Sequence, residues 1–182
     1  MSDRLPGIRP RPSLWRWLDS SARWSFPSVV TVLLLVVAAA PLRVPGQAEL
    51  QNAAALSCVF FWSLFRPGSM PPLAVFLIGL LADLLNFAPP GVGVFSLLVA
   101  HGLALRWRRI LARQGFLMEW LAFVMVAAGM AAVQWLLTSA LTFRLLPAGP
   151  ALFQALLAAG LYPLLAVLLT RAHQTVAEPA NA

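Results

Sequence analysis

The predicted fold of this chain depends most on the segment Pro71–Gly93, PPLAVFLIGLLADLLNFAPPGVG. It is an apolar run about as long as the hydrocarbon core of a bilayer is thick, and it ends in a Pro-Pro-Gly-Val-Gly turn. Asp83 is the acidic residue that lies well inside this run. Because a carboxylate at that depth is costly, we expect Asp83 to face protein or trapped water inside a helical bundle.

The helical neighbours of Asp83 give it one small, polar face. Gly79 lies four residues before it and Asn86 three residues after it, so the three share a side of a helix. Two roles remain open for the acid: a structural carboxyl that fixes how this helix meets its neighbours, or a transport carboxyl that binds a cation or shuttles a proton. We favour the structural role, because a coupled transporter usually has a second buried acid or base.

The turn after this helix supports the structural role. Pro89 and Pro90 stiffen the turn and remove N–H donors that would otherwise be stranded near lipid. Gly91 is free to adopt a positive φ, and Gly93 lets the next helix start close to another backbone. We therefore predict a rigid hairpin with a buried acid just before it.

The composition is that of a membrane protein. Of 182 residues, 60% are hydrophobic and only 10% are charged, whereas a soluble domain has about 25% charged residues. All 13 basic residues are Arg, and the formal net charge is +7. The arginines cluster beside apolar runs, as topology signals do, so we expect no nucleic-acid partner.

The hydropathy pattern predicts an all-α, polytopic membrane helical bundle with six transmembrane helices. Residues 26–170 form this single domain, between a basic, Trp-containing segment, 1–25, and a short polar tail, 171–182. The N-terminal segment is either a helix in the headgroup region or a disordered tail. We expect the sixth span to kink at Pro163. The predicted spans are Phe26–Leu42, Ala48–Phe65, Pro72–Ala88, Gly91–Leu105, Phe116–Phe143 and Ala151–Thr170.

The arginines set the orientation. With a cytoplasmic N-terminus and six spans, eleven arginines are cytoplasmic and only Arg43 and Arg144 lie outside, which is a strong positive-inside signal. A basic cluster follows the short fourth span, and we place it in one loop. We interpret this cluster as a topology anchor on anionic lipid; the alternative is that it docks a cytoplasmic protein. This cluster consists of Arg106, Arg108, Arg109 and Arg113.

Two helix faces are expected to point into the bundle. Small residues along the fourth span allow close approach of another backbone, and a small or polar stripe on the fifth span has the same character. The first stripe comprises Gly93, Ser96, Ala100 and Ala104, and the second Ala127, Ala131, Gln134 and Thr138.

The sequence has no catalytic or metal-binding set. His101, His173 and Cys58 are far apart along the chain, and no phosphate-binding loop or nucleophile motif is present. We interpret Glu119 as a membrane-edge partner of the basic cluster and His101 as an interior histidine with satisfied hydrogen bonds. We therefore expect no enzyme activity, no metal and no cofactor.

The segment Gly79–Leu98, GLLADLLNFAPPGVGVFSLL, resembles the signature region of the rod shape-determining protein MreD family. The likeness consists of a Gly-Leu-Leu-x-Asp helix end, a Pro-x-Gly turn and an apolar helix, with an RPG…PP turn at Arg66–Pro72 before them. Asp83, Pro90 and Gly91 are the motif positions. The resemblance implies a non-catalytic protein of the bacterial inner membrane. Its partners would be an MreC-like bitopic protein and the elongation complex of MreB, RodA and its transpeptidase.

A second class of protein shares this general plan. Substrate-binding subunits of vitamin-uptake systems are six-span membrane proteins of similar size, and they enclose a polar cavity near the outer face. Asp83, Asn86 and Gln134 are the residues that would line one here. A sealed, side-chain-filled interior would favour the scaffold, and an outward cavity of several hundred cubic ångströms would favour binding.

Overall fold

The computed structural model describes residues 14–40, 45–86, 89–111 and 113–177, with side chains for 25–40, 45–86, 89–111 and 113–171. Every regular element in these ranges is helical, so the predicted all-α class is confirmed there. A 3-10 helix, Pro67–Ser69, connects the second and third α-helices. The six α-helices are α1 (Leu14–Ala39), α2 (Gln47–Phe65), α3 (Pro72–Leu85), α4 (Val92–Leu111), α5 (Phe116–Thr142) and α6 (Gly149–Ala177).

Two of the described helices are long and apolar enough to cross a membrane: Phe116–Thr142 in α5 and Gly149–Arg171 in α6. Shorter apolar helices cover Ser25–Ala39 in α1 and Pro72–Leu85, which is α3. By length and composition, the described structure therefore contains two membrane-spanning candidates.

Most predicted boundaries agree with the observed helices. α2 and α5 begin and end within one residue of their predicted spans. α3 ends at Leu85, short of the predicted Ala88, and residues 87 and 88 lie outside the described ranges. α6 contains Pro163 and continues to Ala177, so the first part of the predicted tail is helical.

The prediction of a short α4 followed by an arginine-rich loop is wrong. The helix has 20 residues, about 30 Å at 1.5 Å per residue, and it places Arg106, Arg108 and Arg109 on its last two turns. Arginine is a good helix former, and a positive charge near the carboxyl end of a helix is favourable. Arg113 lies just beyond the helix end.

α1 starts earlier than the predicted first span. It runs from Leu14 through Pro27 without interruption, so residues 14–24 are helical and the disordered-tail alternative is wrong for them. The predicted end at Leu42 and the position of Arg43 fall outside the described ranges, as do the tryptophan side chains before Ser25.

α2 is the central helix of the bundle. It packs against each of the other five α-helices, and all its residues from 53 to 64 are buried. Two serines in this stretch satisfy their hydroxyls within the helix: Ser57 donates to the Ala53 carbonyl (2.7 Å) and Ser63 to the Val59 carbonyl (2.5 Å). The aromatic core includes Phe60, which packs edge-on to both Phe123 and Tyr162.

Candidate functional site

Asp83 lies at the end of α3, only 4% exposed, and its carboxylate binds the start of α4. The backbone N–H groups of Gly91 and Gly93 donate to it at 2.8 Å each, and that of Val94 donates at 3.4 Å. The first N–H groups of a helix have no partner within the helix. Asp83 is thus a helix cap that comes from the preceding helix rather than from the usual capping position.

This arrangement explains how an acid remains in an apolar bundle. The amino end of a helix carries partial positive charge, and hydrogen bonds to an ionised group are stronger than those between neutral groups. Each is worth about 1.5–3 kcal/mol by general experience. The carboxylate therefore replaces its lost hydration with fixed backbone donors.

Three glycines make the close approach of α3 and α4 feasible, each for a different reason. A Cβ at Gly79 would lie 2.6 Å from the Val94 Cα, so the two backbones touch here. A Cβ at Gly93 would overlap the Asp83 carboxylate. Gly91 has φ +100°, a conformation that residues with a side chain rarely adopt.

The remaining predicted motif residues are not part of the hydrogen-bonded Asp83 cap. The amide of Asn86 donates to the Asn52 Oδ1 at 2.9 Å and links the hairpin to α2. Pro89 is half-buried and its carbonyl accepts from the Val92 N–H at 3.3 Å, whereas Pro90 is exposed.

A cavity of about 260 Å³ lies beside the Asp83 cap. It opens at the end of the bundle where α2, α4 and α6 begin and where α3 and α5 end. Asp83 and Gln134 line it as predicted for a binding protein, but Asn86 does not. The interior is therefore open at this end of the bundle, which is the observation expected to favour binding. The polar or aromatic lining residues are Glu49, Asn52, Asp83, Gln134, Trp135, Thr138 and Gln154.

Sequence reasoning missed most of this lining. Gln154 is 8% exposed, and its amide donates to the Gln134 Oε1 at 2.6 Å, which joins α5 to α6. Trp135 donates from its indole nitrogen to the Leu146 carbonyl at 2.9 Å and so forms a fixed wall. An amide inside an apolar run, as at Asn52 and Gln154, is the signal that would have identified these residues.

The predicted inward faces of α4 and α5 are observed. The four small residues of α4 are all buried. On α5, Ala127 and Ala131 are buried, whereas Gln134 and Thr138 are half-buried and line the cavity.

Glu119 has a different partner from the predicted one. Its carboxyl is buried and accepts a hydrogen bond from the Tyr162 hydroxyl of α6. All four arginines of the basic cluster are exposed, whereas Glu119 is buried against Tyr162, so the predicted Glu119 pair with the cluster is wrong. Glu119 lies in the first turn of α5, on the side that faces Tyr162 of α6.

His101 is an interior residue, as predicted. Its Nδ1 lies 2.6 Å from the Ser63 Oγ, and the pair joins α4 to α2. Its Nε2 has no hydrogen-bond partner among the described residues. The prediction that both ring nitrogens are hydrogen-bonded therefore holds only for Nδ1.

The arrangement positions helices and encloses a small polar space. Within the described ranges, no group of three metal-ligating side chains comes together. Comparisons with protein-family models, with curated proteins and with solved structures find no match for this chain.

Proposed function

We propose that this chain is a non-catalytic inner-membrane scaffold of the bacterial cell-elongation machinery, similar to MreD. In this role it binds an MreC-type bitopic protein and helps direct lateral peptidoglycan synthesis and rod shape. The proposal includes six spans, a cytoplasmic N-terminus and contact of the basic cluster with anionic lipid.

The observation that carries the proposal is the use of the Asp83 carboxylate. Both of its oxygens accept backbone N–H groups of the next helix. A transport acid must exchange its proton or ion during each cycle, and a carboxylate held by three fixed donors is poorly suited to that exchange. The acid of the MreD-like motif is well suited to hold the α3–α4 hairpin in one shape.

The form of the molecule also supports partner binding through helix faces. The connections from α2 to α3, from α4 to α5 and from α5 to α6 are only a few residues long. On α1, an apolar face with Val29, Leu33 and Val36 is exposed. A membrane protein with such short loops contacts its partners chiefly within the bilayer, where close packing of helices provides the affinity.

The test is the substitution Asp83→Asn. Asparagine keeps the shape but loses the charge and turns one amide nitrogen toward the N–H donors of α4. We expect the variant to insert in the membrane but to retain less MreC-type protein in mild detergent and to support cell elongation poorly. Gly102→Ala, at an exposed position of α4 with open space around it, is the control. Unchanged co-purification together with normal rod shape would refute the proposal.

The cavity favours a second candidate, a small-molecule binding subunit of the vitamin-uptake type. Its volume of about 260 Å³ is slightly below the range of about 300–1,000 Å³ that is typical of ligand pockets. Co-purification with a transport ATPase complex in place of an MreC-type protein would establish this candidate and overturn the scaffold.

A further inference from the structure

A second, apolar cavity adjoins the polar one. It has a volume of about 250 Å³ and lies between α5 and α6. Ala131, Trp135 and Ala151 line both cavities, so the two adjoin along these three residues. The apolar cavity, called here the alanine groove, is lined by Ala128, Ala131, Ala132, Trp135, Ala148, Ala151, Leu152 and Ala155.

The polar cavity has unused hydrogen-bonding capacity. Gln154 donates to Gln134, which leaves the Gln134 amide N–H groups and the Gln154 carbonyl without a partner among the described side chains. Asn52 accepts from Asn86, and its own amide N–H groups are likewise unused there. A site with free donors and free acceptors fits a ligand whose groups do both, as hydroxyls do.

The charges of the lining select against an anion. Among the described residues, Glu49 and Asp83 line the cavity and no Arg, Lys or His does. A phosphate headgroup would meet no cation of the described residues in this lining. An uncharged, hydroxyl-rich ring meets amide groups and the flat Trp135 side chain. An engineered cavity of about 150 Å³ holds benzene, so about 260 Å³ is sufficient for a single sugar ring.

We propose that the polar cavity and the alanine groove together bind one membrane lipid with an uncharged sugar headgroup. The sugar lies among Asn52, Gln134 and Gln154, and an acyl chain lies in the alanine groove between α5 and α6. A free sugar would use the same polar groups but would gain nothing from the groove. The proposal is independent of the scaffold function.

The test uses the full chain in phosphatidylcholine nanodiscs that contain equal amounts of monoglucosyl-diacylglycerol and phosphatidylglycerol with the same acyl chains. Lipids that remain bound are counted by native mass spectrometry. We expect the glucosyl lipid to be enriched at least about tenfold over phosphatidylglycerol, the ratio for a difference of about 1.4 kcal/mol. Equal retention, or enrichment of phosphatidylglycerol, overturns the proposal.

Two variants of α5 separate the groove from the rest of the surface. Ala132 and Ala140 are both exposed, but only Ala132 lines the groove. Ala132→Trp fills the groove and is expected to abolish the enrichment, whereas Ala140→Trp leaves it unchanged. An equal effect of the two substitutions overturns the proposal.

The source of the sugar is tested with soluble methyl glucoside. If the native chain and Ala132→Trp bind it with the same affinity as the native chain binds the glucosyl lipid, the site is one for free solutes and the lipid proposal is wrong. Gln154→Leu is expected to reduce the enrichment about tenfold by removal of a headgroup contact. Ala132→Trp tests the proposal even if Gln154→Leu does not fold, because it alters only an exposed position.

Discussion

Asp83 shows how one residue can join two helices in an apolar environment. Its carboxylate accepts the N–H groups of Gly91, Gly93 and Val94, and the absence of a side chain at Gly93 gives it room. The cap and the glycine therefore depend on each other. Substitution of either one is expected to affect the same contacts.

The first prediction concerns Gly93→Ala. The added methyl group displaces the Asp83 carboxylate from its donors, and we expect a loss of about 2–4 kcal/mol in the free energy of unfolding, because charged hydrogen bonds are broken and a buried charge is left poorly paired. The measurement is circular dichroism during titration of the detergent-solubilised protein with dodecyl sulfate. The matched control Gly102→Ala meets open space and should be neutral or stabilising by about 0.5–1 kcal/mol. Equal stability of the two variants would contradict the role of the cap.

The second prediction concerns Tyr162, whose hydroxyl donates to Glu119. Tyr162→Phe leaves a buried carboxyl without its hydrogen-bond donor, and we expect the free energy of unfolding to fall by about 1–3 kcal/mol. In a Glu119→Leu background the same substitution should lower the free energy of unfolding much less, because no hydrogen-bond acceptor remains. A double-mutant cycle by dodecyl sulfate titration measures the difference, and equal losses in both backgrounds would show that the two groups are not coupled.

At the scale of the element, α4 combines two ends of different character. Its amino end is buried against Asp83 and its carboxyl end carries exposed arginines. Positive charge at the carboxyl end suits the helix dipole, and in the proposed membrane orientation the long arginine side chains would extend to the headgroup layer. One helix thus provides both an anchor within the bundle and a basic surface at the opposite end.

The third prediction concerns that basic end. Replacement of the four arginines of the cluster by Gln should shift a reporter fused after Arg113 from the cytoplasm to the outside in a large fraction of molecules, because the cluster is a major part of the positive-inside signal. Protease protection of the reporter measures the fraction. Arg144→Gln is the control and should not alter it. A reporter that stays cytoplasmic while only a protein contact is lost would favour the docking interpretation of the cluster.

For the whole molecule, α2 is the element that the other helices surround. Its residues from 53 to 64 are buried on all sides, whereas the surrounding helices leave apolar side chains exposed on their outer surfaces. The stability of the bundle therefore depends on α2 remaining enclosed, and a group within α2 reports on opening of the whole structure.

The fourth prediction uses Cys58, which lies in α2 and is 1% exposed. We expect it to react with a small maleimide at least about a thousandfold more slowly in the folded protein than in dodecyl sulfate, because access requires an opening that costs about 4 kcal/mol or more. The rate of adduct formation is followed by mass spectrometry. As a control, Gln114→Cys in a Cys58→Ala chain lies in the exposed α4–α5 connection and should react rapidly. Similar rates at the two positions would contradict a tightly enclosed α2.

The helical class, most helix boundaries and the burial of Asp83 could be predicted from the amino-acid sequence, because hydropathy, proline and glycine act over a few residues. The sequence did not determine which groups meet across the bundle. Glu119 with Tyr162, Gln134 with Gln154, and the cavity that the glutamines line all depend on how each helix is rotated about its axis. That rotation is set by the packing of all six helices together, so it is defined only in the folded molecule.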